Sequence, residues 1–101
     1  MKKGKFYITN RNFTEENIFK TQVSGYIDTE NNIGYDRRNG DSWYSTDIAT
    51  GLSIITNAPT RKECEEQTHK CWSKVEKIRK GDRYEKLLKI YHDAIIINET
   101  A

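Results

Sequence analysis

The first half of the chain alternates between apolar and polar positions, which is the pattern of β-strands. Five segments fit this pattern: residues 5–9, 19–28, 33–38, 41–47 and 52–56. Asn39-Gly40 separates two of them, and this pair is typical of a tight hairpin because both residues tolerate positive φ. Residues 10–17 are polar and are predicted to form a loop. We predict that three or four of these five segments pair in an antiparallel meander within about residues 5–56.

The second half of the chain has helical periodicity. Thr60 is a predicted N-cap, and Glu63 completes a capping box. Apolar or small residues then recur at helical spacing, namely Cys64, Thr68, Cys71, Val75 and Ile78. These features predict one continuous helix over residues 60–80, ended by Gly81.

A second amphipathic helix is predicted over residues 82–96, where Asp82 and Glu85 resemble another capping box. Residues 95–97 are three isoleucines, which are β-branched and weaken helix propensity. This run would either finish the helix or add an edge strand. Together the segments predict a single α+β domain over residues 1–101, with the long helix lying on the apolar face of the meander. The second helix would cover the remaining apolar surface or contact a partner, for which a homodimer is one option.

Composition and charge narrow the functional classes. The 101 residues are 35% hydrophobic and 32% charged, and 17 Lys and Arg against 15 Asp and Glu give a net charge of +2. This near balance is unlike that of an obligate nucleic-acid binder. No apolar run approaches the about 20 residues of a membrane span, so no membrane association is expected. Cys64 and Cys71, seven residues apart on one helix, would lie about 10 Å apart, too far for a disulfide. Free thiols suit a reducing compartment, so we expect a cytoplasmic protein.

Catalytic and metal-binding arrangements do not fit the spacing. A zinc site built from Cys64, His69, Cys71 and His92 does not fit the spacing, since Cys64 and Cys71 share a helix face but lie too far apart to hold one ion, and His69 points to another face. Structural zinc sites use closely spaced pairs on turns. Carboxylates clustered at one sheet edge could hold Mg²⁺ in a nuclease, and the candidates are Asp28, Glu30, Asp36, Asp41 and Asp47. Asp and Glu in hairpin turns commonly bond the local backbone instead. We therefore expect no catalytic residues, no cofactor and no metal.

Aromatic and arginine side chains crowd the central strands of the predicted meander. Tyr35 and Tyr44 lie on neighbouring strands, and Arg37 and Arg38 lie beside the hairpin turn. Such a set, if exposed, can stack bases or form the centre of a protein interface. The alternative is that these residues are ordinary cross-strand pairs of a sheet.

Residues 41–70 contain a strand with Trp43, the run Asp-Ile-Ala-Thr-Gly at 47–51, a further strand, and Thr-Arg-Lys-Glu-Cys at 60–64. This order resembles the three-stranded arm-type DNA-binding domains of phage and transposon integrases, in which the sheet enters the major groove. Cys64 replaces an alanine of that pattern, and residues 1–59 carry seven cations and seven anions, whereas phosphate contacts need cations. The resemblance implies a sequence-specific DNA-binding module as the alternative function.

The small size, the composition rich in Lys, Asn, Ile and Tyr, and the compact α+β plan resemble those of small accessory proteins of phages and mobile elements, among them anti-CRISPR proteins. That resemblance implies a non-enzymatic protein that binds and inhibits a bacterial defence effector, most prominently a CRISPR–Cas nuclease. Seven residues are the predicted partner contacts: Tyr35, Arg37, Arg38, Tyr44, Arg83, Lys86 and Lys89.

Overall fold

A computed structural model describes residues 1–9, 19–38 and 40–97 of the chain. The elements in chain order are β1 Lys2–Thr9, β2 Phe19–Asp28, β3 Ile33–Arg38, β4 Ser42–Asp47, β5 Leu52–Ala58, α1 Arg61–Lys70, α2 Trp72–Arg79, α3 Asp82–Asp93 and β6 Ile95–Ile97. The fold is therefore α+β, as the sequence predicts. The loop predicted for residues 10–17 lies outside the described residues.

The sheet is larger than the predicted meander. Five strands pair antiparallel in the order β1-β2-β3-β4-β5, and β6 adds to β2 in parallel. The first strand begins at Lys2, three residues before the predicted start, because its whole length pairs with β2. Gly40 has a φ of 86°, in agreement with the predicted hairpin turn.

The predicted continuous helix over 60–80 is wrong, because it is interrupted at Cys71. Thr60 does cap α1, since its Oγ1 accepts a hydrogen bond from the Glu63 amide at 3.1 Å. Cys71 has φ −101° and ψ 17°, ends α1 and starts α2. Both helices keep the same apolar spacing, so a one-residue interruption leaves no trace in the pattern.

The second predicted helix ends at Asp93, and the three isoleucines form β6, which pairs with Phe19–Thr21. The strand option for residues 95–97 is thus confirmed. Ala94 has a ψ of 142°, which is extended backbone and directs the chain into the sheet. The cap differs from the prediction, because Gly81 holds the N-cap position and no side chain caps α3.

The core has two layers on either side of β3. Ile33 and Tyr35 pack with Ala58 and Cys64 on the face that α1 covers. Gly34 points to the opposite face, where a Cβ atom would meet the Phe6 ring at 2.6 Å. The β1–β2 ribbon therefore crosses this second face, and its close approach depends on glycine. At Gly25 a Cβ atom would lie only 2.1 Å from the Tyr35 carbonyl oxygen.

Candidate binding groove between the last meander strand and the helices

An apolar groove lies between β5, α2 and α3. Its volume is about 420 Å³, which is within the range of protein ligand pockets. Its lining is mostly aliphatic and comprises Asp47, Thr50, Leu52, Ser53, Ile54, Ile55, Cys71, Lys74, Val75, Ile78, Arg79, Tyr84 and Leu87.

Helix α2 supplies one wall of the groove. Val75 and Ile78 follow Cys71 at helical spacing, so one face of the helix lines the groove. Val75 is buried, whereas Ile78 is 59% exposed and therefore lies where the groove opens to solvent. The stripe predicted to line the underside of one helix is thus divided: Cys64 packs under α1, and Ile78 lies at the surface.

Strand β5 supplies the facing wall in an unusual way. Four consecutive residues, 52–55, line the groove. The strand is irregular here, because its register against β4 shifts between the pairs Ser45–Ile55 and Thr46–Ser53, and the neighbouring Ile54 and Ile55 both pack against the core. The Ile55 amide donates to Ser45 Oγ at 3.1 Å and so ties this irregular segment to β4.

Asp47 fixes both helices to the sheet at the end of the groove. Its carboxylate accepts hydrogen bonds from Tyr84 Oη at 2.7 Å, Thr50 Oγ1 at 2.9 Å and Arg79 Nη2 at 3.0 Å. Burial, together with the bond to this carboxylate, raises the pKa of Tyr84 to about 12. The Tyr84 hydroxyl therefore stays protonated and donates at neutral pH.

The helices beside the groove are basic. Residues 72–91 contain seven Lys and Arg against three Asp and Glu, whereas the other residues contain ten against twelve. Lys74 lines the groove itself. The Arg79 guanidinium is occupied by Asp47 and lies 5.4 Å from the centre of the Trp72 ring. The groove lining thus includes two of these cations, Lys74 and the paired Arg79.

The structure buries two of the predicted partner contacts and holds a third, the partly exposed Arg38, in contacts within the sheet. Tyr35 is 2% exposed in the core beneath α1, and Tyr44 is 5% exposed. Arg38 stacks 4.2 Å above the Tyr44 ring and donates to Asp36 at 2.8 and 3.0 Å. The two tyrosines lie on opposite faces of the sheet, because Tyr35 pairs with Ser45 and Tyr44 pairs with Asp36, and both side chains are buried.

The other four predicted contacts are exposed. Arg37 lies on β3, and Arg83, Lys86 and Lys89 lie on α3. The α3 residues share their helix with the groove-lining Tyr84 and Leu87. None of these three residues lines the groove, and helical spacing places Lys86 and Lys89 on the face of α3 away from Tyr84 and Leu87. Arg37 lies on a separate element.

Several groove residues were not identified by the sequence as a site. In the sequence, Asp47 is an ordinary turn carboxylate and Arg79 is a cation at a helix end. In the structure these two side chains, 32 positions apart along the chain, form a hydrogen bond of 3.0 Å. Val75 was recognised only as a core position. No local signal connects these residues, since the groove exists only where three distant elements meet.

The structure also describes the surroundings of the two thiols and of the candidate metal ligands. Cys64 is fully buried, and burial raises the pKa of its thiol to about 11, so it is a protonated thiol at neutral pH. Cys71 is a second free thiol and is partly buried. Within residues 1–9, 19–38 and 40–97, no three His, Cys, Asp or Glu side chains are placed to hold a metal ion.

A second, shallower concavity of about 440 Å³ lies on the β1–β2 ribbon. Lys3, Lys5, Ser24 and Tyr26 line it with two glycines. The Arg61 guanidinium lies 4.1 Å from the centre of the Tyr26 ring. This ribbon patch, defined by Lys3, Lys5, Tyr26 and Arg61, combines cations with an aromatic ring.

Comparisons with known proteins add no relative to this description. None of the helices in the described part of the chain is both long and apolar enough to cross a membrane. No protein-family model, no curated protein and no solved structure matches the chain significantly.

Proposed function

We propose that this chain is a non-enzymatic protein that binds and inhibits a bacterial defence effector, with a CRISPR–Cas nuclease as the target class. The observation that carries the proposal is the open apolar groove, with Lys74 in its lining, between β5 and the basic helices α2 and α3. Exposed apolar surface rimmed by polar groups is typical of protein interaction sites. The target class itself comes from the resemblance of the chain to small phage proteins.

The surroundings of the polar groups favour binding over catalysis. The Asp36 carboxylate is held by Arg38, and the Asp47 carboxylate is held by Arg79 and Tyr84. Both acids therefore serve as internal partners of cations and a phenol. The Cys64 thiol is buried and protonated, which removes the nucleophilic form.

The positive charge of α2 and α3 suits an acidic target surface. Metal-dependent nucleases hold their ions with clustered carboxylates, and cations placed opposite such clusters speed association and fix orientation. Arg83 and Lys89 are exposed on α3 and are the cations expected to act in this way.

The test is a titration of guide-loaded Cas nucleases, drawn from the different CRISPR–Cas types, with the purified chain. Cleavage of a target plasmid should stop at about one equivalent of inhibitor for one effector in the panel. The double change Arg83→Glu with Lys89→Glu should raise the required concentration at least about tenfold, since each interfacial charge pair contributes on the order of 1 kcal/mol or more. Lys70→Glu, on α1, is the matched control. Inhibition at far less than one equivalent would indicate catalysis, and no inhibition across the panel would refute the proposal.

The ribbon patch favours DNA binding as the second candidate. In the integrase-type arrangement the sheet face opposite the helix enters DNA, but here Asp36, Tyr44 and Thr46 are buried. The ribbon patch offers cations and a ring elsewhere. This candidate expects duplex affinity that falls steeply with salt and is weakened by Lys3→Glu with Lys5→Glu. A protein inhibitor instead shows no measurable duplex binding at about 0.15 M salt.

A further inference from the structure

The β1–β2 ribbon has a concentration of positive charge that the chain as a whole lacks. Residues 1–9 and 19–27 contain four lysines and no Asp or Glu, whereas the whole chain has a net charge of +2. Lys3 and Lys5 are exposed, and neither forms an ion pair with another described residue. Because neighbouring cations without anionic partners create a positive local potential, this ribbon attracts anions.

The strand register brings these lysines onto one face together with aromatic and polar side chains. Directly paired residues of an antiparallel ladder point to the same face. The face that contains the ribbon patch has three such pairs, namely Lys3–Tyr26, Lys5–Ser24 and Tyr7–Gln22. Tyr26 also pairs with Tyr35, which packs beneath α1, so this is the helix side of the sheet. The three pairs extend over about 13 Å of the ribbon.

Arg61 adds a flat, positively charged group to the ribbon patch. Its guanidinium lies 4.1 Å from the centre of the Tyr26 ring, and its side chain is 40% exposed. It also forms a long ion pair with Glu65, at 3.7 Å. A guanidinium held over an aromatic ring on one side can stack on a nucleobase with its other side. The partly exposed ring of Tyr7 supplies a second stacking surface on the same face.

We infer that the ribbon patch, extended by Tyr7, binds single-stranded nucleic acid. Lys3 and Lys5 contact phosphates, and the planar groups of Arg61 and Tyr7 stack on bases, which is the combination that single strands require. This site is distinct from the groove on which the proposed function depends, because none of these four residues lines the groove.

The position of β2 in the sheet favours a single strand over a duplex. The bases of a duplex are stacked on one another, and its major groove admits a helix or a two-stranded ribbon that can enter it. β2 does not stand clear of the sheet, since β3 pairs with it at residues 26–28 and β6 pairs with it at residues 19–21. The concavity of about 440 Å³ on this face instead leaves room for bases that are already unstacked.

Fluorescence anisotropy with a labelled oligodeoxyuridylate and a labelled oligouridylate, each of about 12 nucleotides, tests the inference on the intact chain. We expect saturable binding of at least one strand at about 0.05 M salt, and the tighter of the two identifies DNA or RNA as the natural ligand. Amide resonances of residues 3–7 and 22–26 should shift on titration. The same strand in a duplex, and an abasic strand of equal length, should each bind at least about tenfold more weakly because they offer no free base planes. Absence of strand binding, or equal binding of the duplex or the abasic strand, would overturn the inference.

Variants of the protein separate phosphate contacts from stacking. Lys3→Gln with Lys5→Gln should weaken binding and reduce the slope of log affinity against log salt by about 1.4, the value for two phosphate contacts. Lys77→Gln with Lys80→Gln, at exposed positions on α2 and at its end, is the matched control of equal charge and should change neither quantity. Arg61→Lys keeps the charge but removes the plane, so affinity should fall at least about fivefold at an unchanged slope. Equal losses for the two lysine pairs, or unchanged affinity for Arg61→Lys, would refute the site.

The same reagents keep this inference separate from the proposed function. Lys3→Gln with Lys5→Gln should inhibit a Cas nuclease as well as the unaltered chain does, because these residues do not line the groove. Strand binding without inhibition of any Cas nuclease would refute only the proposed function. Inhibition without strand binding would refute only the single-strand site.

Discussion

The Asp47 carboxylate is predicted to be the main attachment of α2 and α3 to the sheet, and Asp47→Ala tests this directly. The carboxylate is 7% exposed and accepts hydrogen bonds from Thr50, Arg79 and Tyr84. Without this carboxylate, the Arg79 guanidinium would keep one long hydrogen bond, to the Asn32 carbonyl at 3.4 Å. Its Nε atom is already buried without a hydrogen-bond partner. Tyr84 would lose its acceptor in a partly buried position.

The expected cost follows from these contacts. Breaking a buried ion pair costs about 3–5 kcal/mol, and a hydrogen bond to a charged group contributes about 1.5–3 kcal/mol. The Arg79 side chain is 24% exposed, so water recovers part of its solvation. We therefore expect Asp47→Ala to lower the free energy of unfolding by about 3 kcal/mol, which corresponds to a fall in melting temperature of about 15 °C for a domain of this size.

Urea denaturation followed by circular dichroism measures this cost, and amide hydrogen exchange shows where the structure loosens. Exchange should accelerate in α3 before it does so in β3 and β4, because α3 loses its Tyr84 attachment. Asp41→Ala is the control, since Asp41 is exposed on the hairpin and its loss should change stability by less than about 0.5 kcal/mol. A cost below about 1 kcal/mol for Asp47→Ala, or unchanged exchange in α3, would refute the assigned role.

Three further expectations follow from the described contacts. Gly25→Ala should lower the free energy of unfolding, measured by urea denaturation, by about 3 kcal/mol, because the new Cβ would overlap the Tyr35 carbonyl. Gly81→Ala, whose Cβ would have 3.4 Å of space, should leave it nearly unchanged. Equal losses for the two variants would contradict the close crossing of the ribbon. Alkylation followed by mass spectrometry should modify Cys71 before Cys64, and faster labelling of Cys64 would contradict its burial. Because burial raises the pKa of Cys64 from 9.0 to about 11, the stabilisation that comes from its protonated thiol is complete below pH 9 and is lost as pH rises to 11. Cys64→Ala should therefore lose less of its free energy of unfolding between pH 9 and 10 than the unaltered chain does. An identical loss in the two proteins would contradict this.

The sequence by itself determined most of the elements. The alternation from Phe19 to Asp28, the hairpin signal at residues 39–40 and the Thr60 cap all act over a few residues, so they can be recognised without the fold. The free thiols also followed from helical geometry alone. Local patterns carry this information because backbone hydrogen bonding and side-chain alternation are local properties of the chain.

Tertiary structure decided which faces are covered and where an opening remains. The register between β3 and β4 places Tyr35 and Tyr44 on opposite faces. Tyr35 is buried in the core beneath α1, and Arg38 stacks over the ring of Tyr44. The interruption at Cys71 turns part of one apolar stripe toward the groove, and helical periodicity is the same on both sides of it. At the end of the groove, Asp47 binds Arg79 of α2 and Tyr84 of α3. These two partners follow Asp47 by 32 and 37 positions along the chain. Burial of this kind depends on packing between distant segments, which no local pattern encodes.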